Sequence, residues 1–176
     1  MADLKWLDYS GQSTDELLAL ENEFRTDSLV CAIEQALYQR ASVQLYQTAS
    51  DQEVESFTEE EYVVLAVEAL EREVNNGGYD QFFRNSSNEF SPVIVNALNE
   101  IGRIEAAALT QEAIDALEIE GPVSTKAIDQ AMEKKSDHRD QKLSECDNRY
   151  YETVGDLSKP LLEFVRKNKN QIRLRA

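Results

Sequence analysis

FTEEEYVVLAVEALEREVNNGGYDQFF, residues 57–83, decides the fold class. It contains YVVLAV (62–67), the only β-branched candidate for a strand in the chain, and β-branched runs favour strands. The flanks argue for a helix. Thr58 and Glu61 stand at the N-cap and N3 positions of a capping box, and Phe57 can staple onto Tyr62 at N4. From there the helix is predicted to run through VVLAVEALEREV. It stops at Asn75, Asn76, Gly77 and Gly78, residue types that tolerate the left-handed backbone of a helix end. The following YDQFF reads as a short helical turn closed by the polar run 85–89, with Tyr79, Phe82 and Phe83 plugging the gap to the next helix and Gln81 between them.

The same signals recur on both sides. Ser13 and Glu16 form a second capping box, opening a short helix to about Phe24 with Leu17, Leu18 and Leu20 available to face inward. A longer, charge-poor helix over about 28–49 carries Leu29, Ile33, Leu37 and Val43 along one side. Ser91 followed by Pro92 reads as a cap with proline at N1, starting a helix to about Ile101. Gly102 interrupts it before an Ala-rich segment over 103–119, whose small residues imply close helix approach. Gly121 and Pro122 end that segment, and helices are predicted over about 125–135, 138–151 and 158–169. The expected fold is all-α, a single compact multi-helix domain of about seven to nine helices. The acidic helical domain is expected over 1–165, with 166–176 as a short basic C-terminal tail.

Composition bounds the function. The chain has 176 residues, enough for a sizeable core. Its 41% apolar content and its seven Tyr and six Phe separate it from disordered acidic tails. Cys31 and Cys146 have no metal-ligand spacing and read as reduced thiols. MADLKWLDYSGQ lacks the pattern of a secretion signal, and there is no run of 18 apolar residues, so a cytoplasmic protein without membrane partners is expected.

Catalysis finds little to work with. His138, in SDHRDQK, is the single histidine, so no histidine triad and no HExxH metal helix can be built. Gly77-Gly78 matches neither GxxxxGK[ST] nor GxGxxG. With 34 acids many carboxylates must lie close together, so their pairing carries no information about acid–base chemistry. The expectation is a protein that is not an enzyme, without cofactor or metal.

The charge is the strongest remaining signal. Asp and Glu number 34 against 18 Lys and Arg, a formal net charge of -16, and five of the bases fall in residues 166–176. A small soluble domain needs only about 2 to 8 net charges for solubility, and a larger excess repels itself. Residues 51–61 hold six acids and no base. Residues three or four apart on a helix have Cβ atoms about 5–6 Å apart, a separation comparable to neighbouring phosphates of a duplex, which carries one charge per roughly 1.7 Å of axis. Such a surface offers a DNA-binding protein the electrostatic part of its affinity without bases to read. Direct nucleic-acid binding by this chain is not expected.

The stretch from about Glu68 to Leu117, with EREVNNGGYDQFFRNS followed by a Pro-started and an Ala-rich helix, resembles an all-helical bacterial family known through a neisserial DNA mimic. The resemblance implies a homodimer whose carboxylates lie like duplex phosphates and occupy the DNA-binding face of a helix-turn-helix transcriptional repressor. It implies a scaffold role for Asn75, Asn76, Gly77, Gly78, Tyr79, Gln81, Phe82 and Phe83, and no catalytic residue. The mimic surface is assigned by acid density to Asp15, Glu16, Asp51, Glu53, Glu55, Glu59, Glu60, Glu68, Glu71, Glu112, Asp115 and Glu118. The alternative is an acidic scaffold that binds another protein or a small ligand near Tyr79, Gln81 and Phe82.

Overall fold

A computed structural model describes residues 4–47 and 57–175, without the side chains of 43–47. The fold is all-α. Among the described residues there are eight α-helices, one 3-10 helix and no strand, only an isolated bridge between Lys5 and Phe24. The chain contacts divide into two compact units, one of Met1–Leu65 with Ser158–Ala176 and one of Ala66–Leu157.

The first unit contains α1 (Thr14–Ala19), α2 (Thr26–Gln47), the start of α3 (Glu59–Arg84) and α8 (Ser158–Lys167). Both capping boxes form. Ser13 and Glu16 exchange hydrogen bonds at the start of α1. At the start of α3 the Thr58 hydroxyl accepts from the Glu61 N–H at 3.1 Å, and the Glu61 carboxylate accepts from the Thr58 N–H at 3.0 Å. Phe57 meets Tyr62 edge-on at 5.6 Å. Leu29, Ile33 and Leu37 are buried along α2 as expected, while the side chain of Val43 and residues 48–49 lie outside the described residues.

Glu61 does more than cap. Its two oxygens take Arg40 in a fork, both at 2.7 Å, with both side chains buried. Oε1 also accepts the N–H of Arg173 at 2.7 Å, and Arg40 donates to the Arg173 carbonyl. Thr58 donates to the Gln171 carbonyl and Thr14 to the Ile172 carbonyl. Ile172 and Leu174 are buried beside these bonds. The C-terminal segment is thus held by its backbone and by alternate apolar side chains.

The second unit contains the rest of α3, the 3-10 helix Ser86–Phe90, α4 (Ile94–Glu100), α5 (Ile104–Asp115), α6 (Thr125–Glu133) and α7 (Asp137–Thr153). α5 packs against α4 and α7 through its small residues, with Ala106, Ala107 and Ala113 buried. α3 is broken at Gly77 and Gly78, where the stop was read, and resumes through YDQFF. Gly78 has φ +76°, and a Cβ there would lie 2.3 Å from the Asp147 carboxylate on α7. The same carboxylate accepts the Tyr79 N–H at 2.7 Å, satisfying a donor left open by the break.

Ser91 corrects the sequence reading. It is not a cap: its N–H closes the 3-10 helix on the Asn88 carbonyl, its hydroxyl is buried without a partner among the described residues, and α4 begins at Ile94 behind Val93. Ser91 ends the 3-10 helix with helical φ -56° and ψ -33°, and so lacks the extended backbone of an N-cap.

Replacing Glu61 by Ala leaves Arg40 buried without its counter-charge, and breaking such a pair costs about 3–5 kcal/mol; urea melts of the variant should show that loss. Burial opposes ionisation of Glu61, but the bonds from Arg40, Arg173 and Thr58 outweigh it and hold the carboxyl below the ordinary glutamate range. The stability this contributes is complete above the unfolded glutamate pKa and is lost as pH falls through the lower folded value. Glu61→Gln should flatten that acid limb of stability against pH. Gly78→Ala should cost about 1–3 kcal/mol through a left-handed φ and the Asp147 clash. Gly77→Ala, with φ -162° and only the flexible Gln81 side chain in its way, should cost less in the same melts.

Candidate functional site: the acidic surface

The expected acidic residues fall into four situations. Asp51, Glu53 and Glu55 lie outside the described residues. Glu68 is buried at 7% exposure on the inward side of α3, which removes it from any exposed array. Glu71 is half-buried and accepts the Leu157 N–H at 3.2 Å. The others, Asp15, Glu16, Glu59, Glu60, Glu112, Asp115 and Glu118, are exposed or half-exposed.

Several of these are already neutralised. The basic C-terminal segment folds onto α1 and its exit: Lys169 pairs with Asp15 at 2.6 Å, Arg175 with Glu16 at 2.7 Å, and Arg166 with Glu21. Glu112 on α5 is held in a fork by Arg149 on α7, which keeps its carboxyl below the usual range. Each such exposed pair contributes little stability, about 0–1 kcal/mol, but it cancels a charge that a partner would otherwise meet. Glu59 and Glu60, in the first turn of α3, and Asp115, Glu118 and Glu120, around the end of α5, make no ion pair among the described residues. Glu59 and Glu60 also gain from the positive end of the helix dipole.

Glu118 adopts φ +51°, a left-handed backbone that a non-glycine residue pays for. It sits on the rim of a cavity of about 390 Å³ between the end of α5 and the start of α6 and α7, with Glu120 and Ile119 beside it. The turn presents two carboxylates outward, and the interior of the cavity is formed by Ala127, Ala131 and the buried, fully engaged Arg139.

The NNGGYDQFF segment is a packed core with a polar lining. Tyr79, Phe82 and Phe83 are fully buried, worth about 1.5–3 kcal/mol each. Phe83 stacks with Tyr79 at 6.2 Å and meets Phe82 at 5.4 Å. The Tyr79 hydroxyl bonds Thr110 at 2.9 Å. Tyr79 and Phe82 therefore present no exposed surface, and of the three residues of the alternative ligand site only Gln81 is half-exposed. Asn75 and Asn76 are exposed.

Glu73 was not singled out from sequence, yet it organises the exit of α3. Its carboxylate accepts from Gln81 and Asn85 at 2.8 Å each and from Ser87 at 3.1 Å. Burial works against its charge, and those three bonds more than compensate, lowering its pKa. Asp147 is the opposite case: burial raises its pKa despite the Tyr79 N–H. Neither partnership leaves a signal in the local sequence beyond the paired glycines, which mark a close backbone approach.

Among the described residues no group of three or more His, Cys, Asp or Glu is placed to hold a metal ion, and no helix is long and apolar enough to cross a membrane. Cys31 and Cys146 are not joined in a disulfide.

No curated protein and no solved structure matches the chain. A protein-family model, that of the DMP19-like proteins, matches residues 55–168, from just before the α3 capping box to the end of α8. That span holds the broken α3, its NNGGYDQFF core and every helix that packs on it in the second unit, and it covers more than half of the 176 residues, so the chain belongs to the DMP19-like protein family.

Proposed function

We propose that this protein is a DNA mimic: it binds the DNA-binding face of a helix-turn-helix transcriptional repressor, as a homodimer in the cytoplasm, and keeps that repressor off its operator. The excess of carboxylates, a formal -16 on an all-helical chain, carries the reading. Family membership supports it. The partner surface is drawn on carboxylates that have no counter-ion among the described residues, Glu59, Glu60, Asp115 and Glu118, with Asp51, Glu53 and Glu55 assigned to it by density alone. Asp15, Glu16 and Glu112 stand behind them, because Lys169, Arg175 and Arg149 already engage their charge.

A helix-turn-helix protein meets phosphates with Lys, Arg and helix N-termini. The same groups accept carboxylates, and they cannot accept both at once. Complementary charge chiefly sets encounter rate and specificity, so the complex should weaken with salt.

Competition tests this. With labelled operator duplex bound to the repressor, added protein should lower fluorescence anisotropy to the free-DNA value. The apparent affinity should fall as ionic strength rises from about 50 to 200 mM, where screening shortens to below ~10 Å. A ternary complex of protein, repressor and operator would overturn the reading. Glu59→Lys with Glu60→Lys should weaken competition by about tenfold or more, since each replaces an attraction with a repulsion, while circular dichroism shows helix content unchanged.

A further inference from the structure

Beyond α8 the chain turns through 168–171 and runs on as residues 172–175 without helix. Its side chains alternate: Ile172 and Leu174 are buried, Arg173 and Arg175 exposed, as along an extended chain. The backbone of this segment is held by side chains of three other elements of the first unit. Thr58 donates to the Gln171 carbonyl at 3.1 Å, Thr14 to the Ile172 carbonyl at 2.8 Å and Arg40 to the Arg173 carbonyl, while Glu61 accepts the Arg173 N–H at 2.7 Å. Bonds to the main chain accept any sequence, and selection falls to the pockets that receive alternate side chains. Here two apolar pockets stand beside an acidic rim, where Glu16 meets Arg175 at 2.7 Å and Asp15 meets Lys169 at 2.6 Å. Exposed pairs of this kind add little stability; their effect is to select a basic segment.

The groups that hold the segment do not depend on it for their own placement. Thr58 accepts the Glu61 N–H at 3.1 Å, and Glu61 is fixed by the Arg40 fork and the Thr58 N–H. Glu16 accepts the Ser13 N–H at 2.6 Å and its hydroxyl at 2.9 Å. All these bonds run within or between α1, α2 and the start of α3, so they persist when the segment leaves. A preorganised receptor of this kind binds without first having to be ordered. The segment ends the chain and carries no helix, so it can leave and return without moving another element.

We propose that α1, the Arg40 face of α2 and the start of α3 form a receptor groove for an extended peptide that alternates apolar and basic residues, and that residues 171–175 are its resident, displaceable occupant. The displacing ligand is an extended segment of a protein partner with the pattern apolar-basic-apolar-basic, as in Ile172-Arg173-Leu174-Arg175. This groove needs neither a repressor nor DNA, and its test is independent of operator competition.

The test uses the full-length chain. In the wild-type protein the Arg173 amide, bonded to a side chain and not within a helix, should exchange with solvent at least about tenfold faster than the Leu37 amide inside α2, because the segment opens alone. In a full-length double variant, Ile172→Asp with Leu174→Asp, charge at two buried positions expels the resident segment. Circular dichroism should then show helix content unchanged. A dye-labelled peptide NQIRLRA, the sequence of 170–176, should bind this variant at least about tenfold more tightly than it binds the wild type, where the tethered segment competes at high effective concentration. The reordered peptide RRILNQA and the polar NQSRSRA carry the same charge, and both should bind at least about tenfold more weakly. An Arg173 amide as slow as that of Leu37, or loss of helix content in the double variant, would make the segment part of the core and overturn the groove. Equal binding of NQIRLRA to variant and wild type, or equal binding of the two control peptides, would overturn it as well.

Discussion

The carboxylate of Glu61 is the constraint on which the first unit depends. One side chain at N3 of α3 caps the helix, neutralises Arg40 on α2 and holds the Arg173 N–H of the C-terminal segment. Buried ion pairs are weak contributors to stability when compared with apolar replacements, because desolvation consumes most of the attraction. They are strong determinants of register, because a mispaired alternative leaves a bare charge in the core. The alignment of α2, the α3 start and residues 171–173 that pairs Arg40 with Glu61 also puts Ile172 and Leu174 inside. Exact placement of the tail thus follows from a polar cluster, with apolar burial supplying the free energy.

Further along the same helix a second buried glutamate repeats this logic. Glu73 gathers Gln81, Asn85 and Ser87 around the exit from the Gly77-Gly78 break, as Glu61 gathers the groups around the entry. Both are acids in a chain full of acids, and both are spent internally. On the proposed reading, the charge open to a partner is what remains after these, Glu68 and the ion-paired surface acids are set aside, and among the described residues it lies at the α3 first turn and the end of α5.

Elements specified by neighbours in sequence were legible. The Ser13 and Thr58 capping boxes, the Phe57–Tyr62 staple and the Gly77-Gly78 break each depend on residues within five positions, and each forms. Ser91-Pro92 carried an equally local signal and misled, because Ser91 closes the preceding 3-10 helix with a helical backbone and not the extended one of an N-cap. Partners far apart in sequence were not legible. Arg40 with Glu61, Tyr79 with Asp147 and Lys169 with Asp15 are set by packing geometry, and among so many carboxylates no pattern singles out the one that meets a given base. The burial of Glu68 was hidden for a related reason. α3 is apolar on most of its circumference between Val63 and Leu70, so its phase could not be read from hydrophobic periodicity.

Salt should act on this molecule in two directions at once. A net charge of -16 repels itself, so screening favours the compact state, while the exposed pairs such as Lys169 with Asp15 that screening weakens are each worth only about 0–1 kcal/mol. The buried Arg40–Glu61 pair is shielded from the change. The folded frame therefore tightens over the same range of ionic strength in which an electrostatic complex loosens. A carboxylate array held on helices keeps its spacing while its attraction fades, whereas an acidic disordered tail would contract as its charges are screened. Loss of partner binding with salt, accompanied by a rising melting temperature, separates weakened attraction from loss of the surface that provides it.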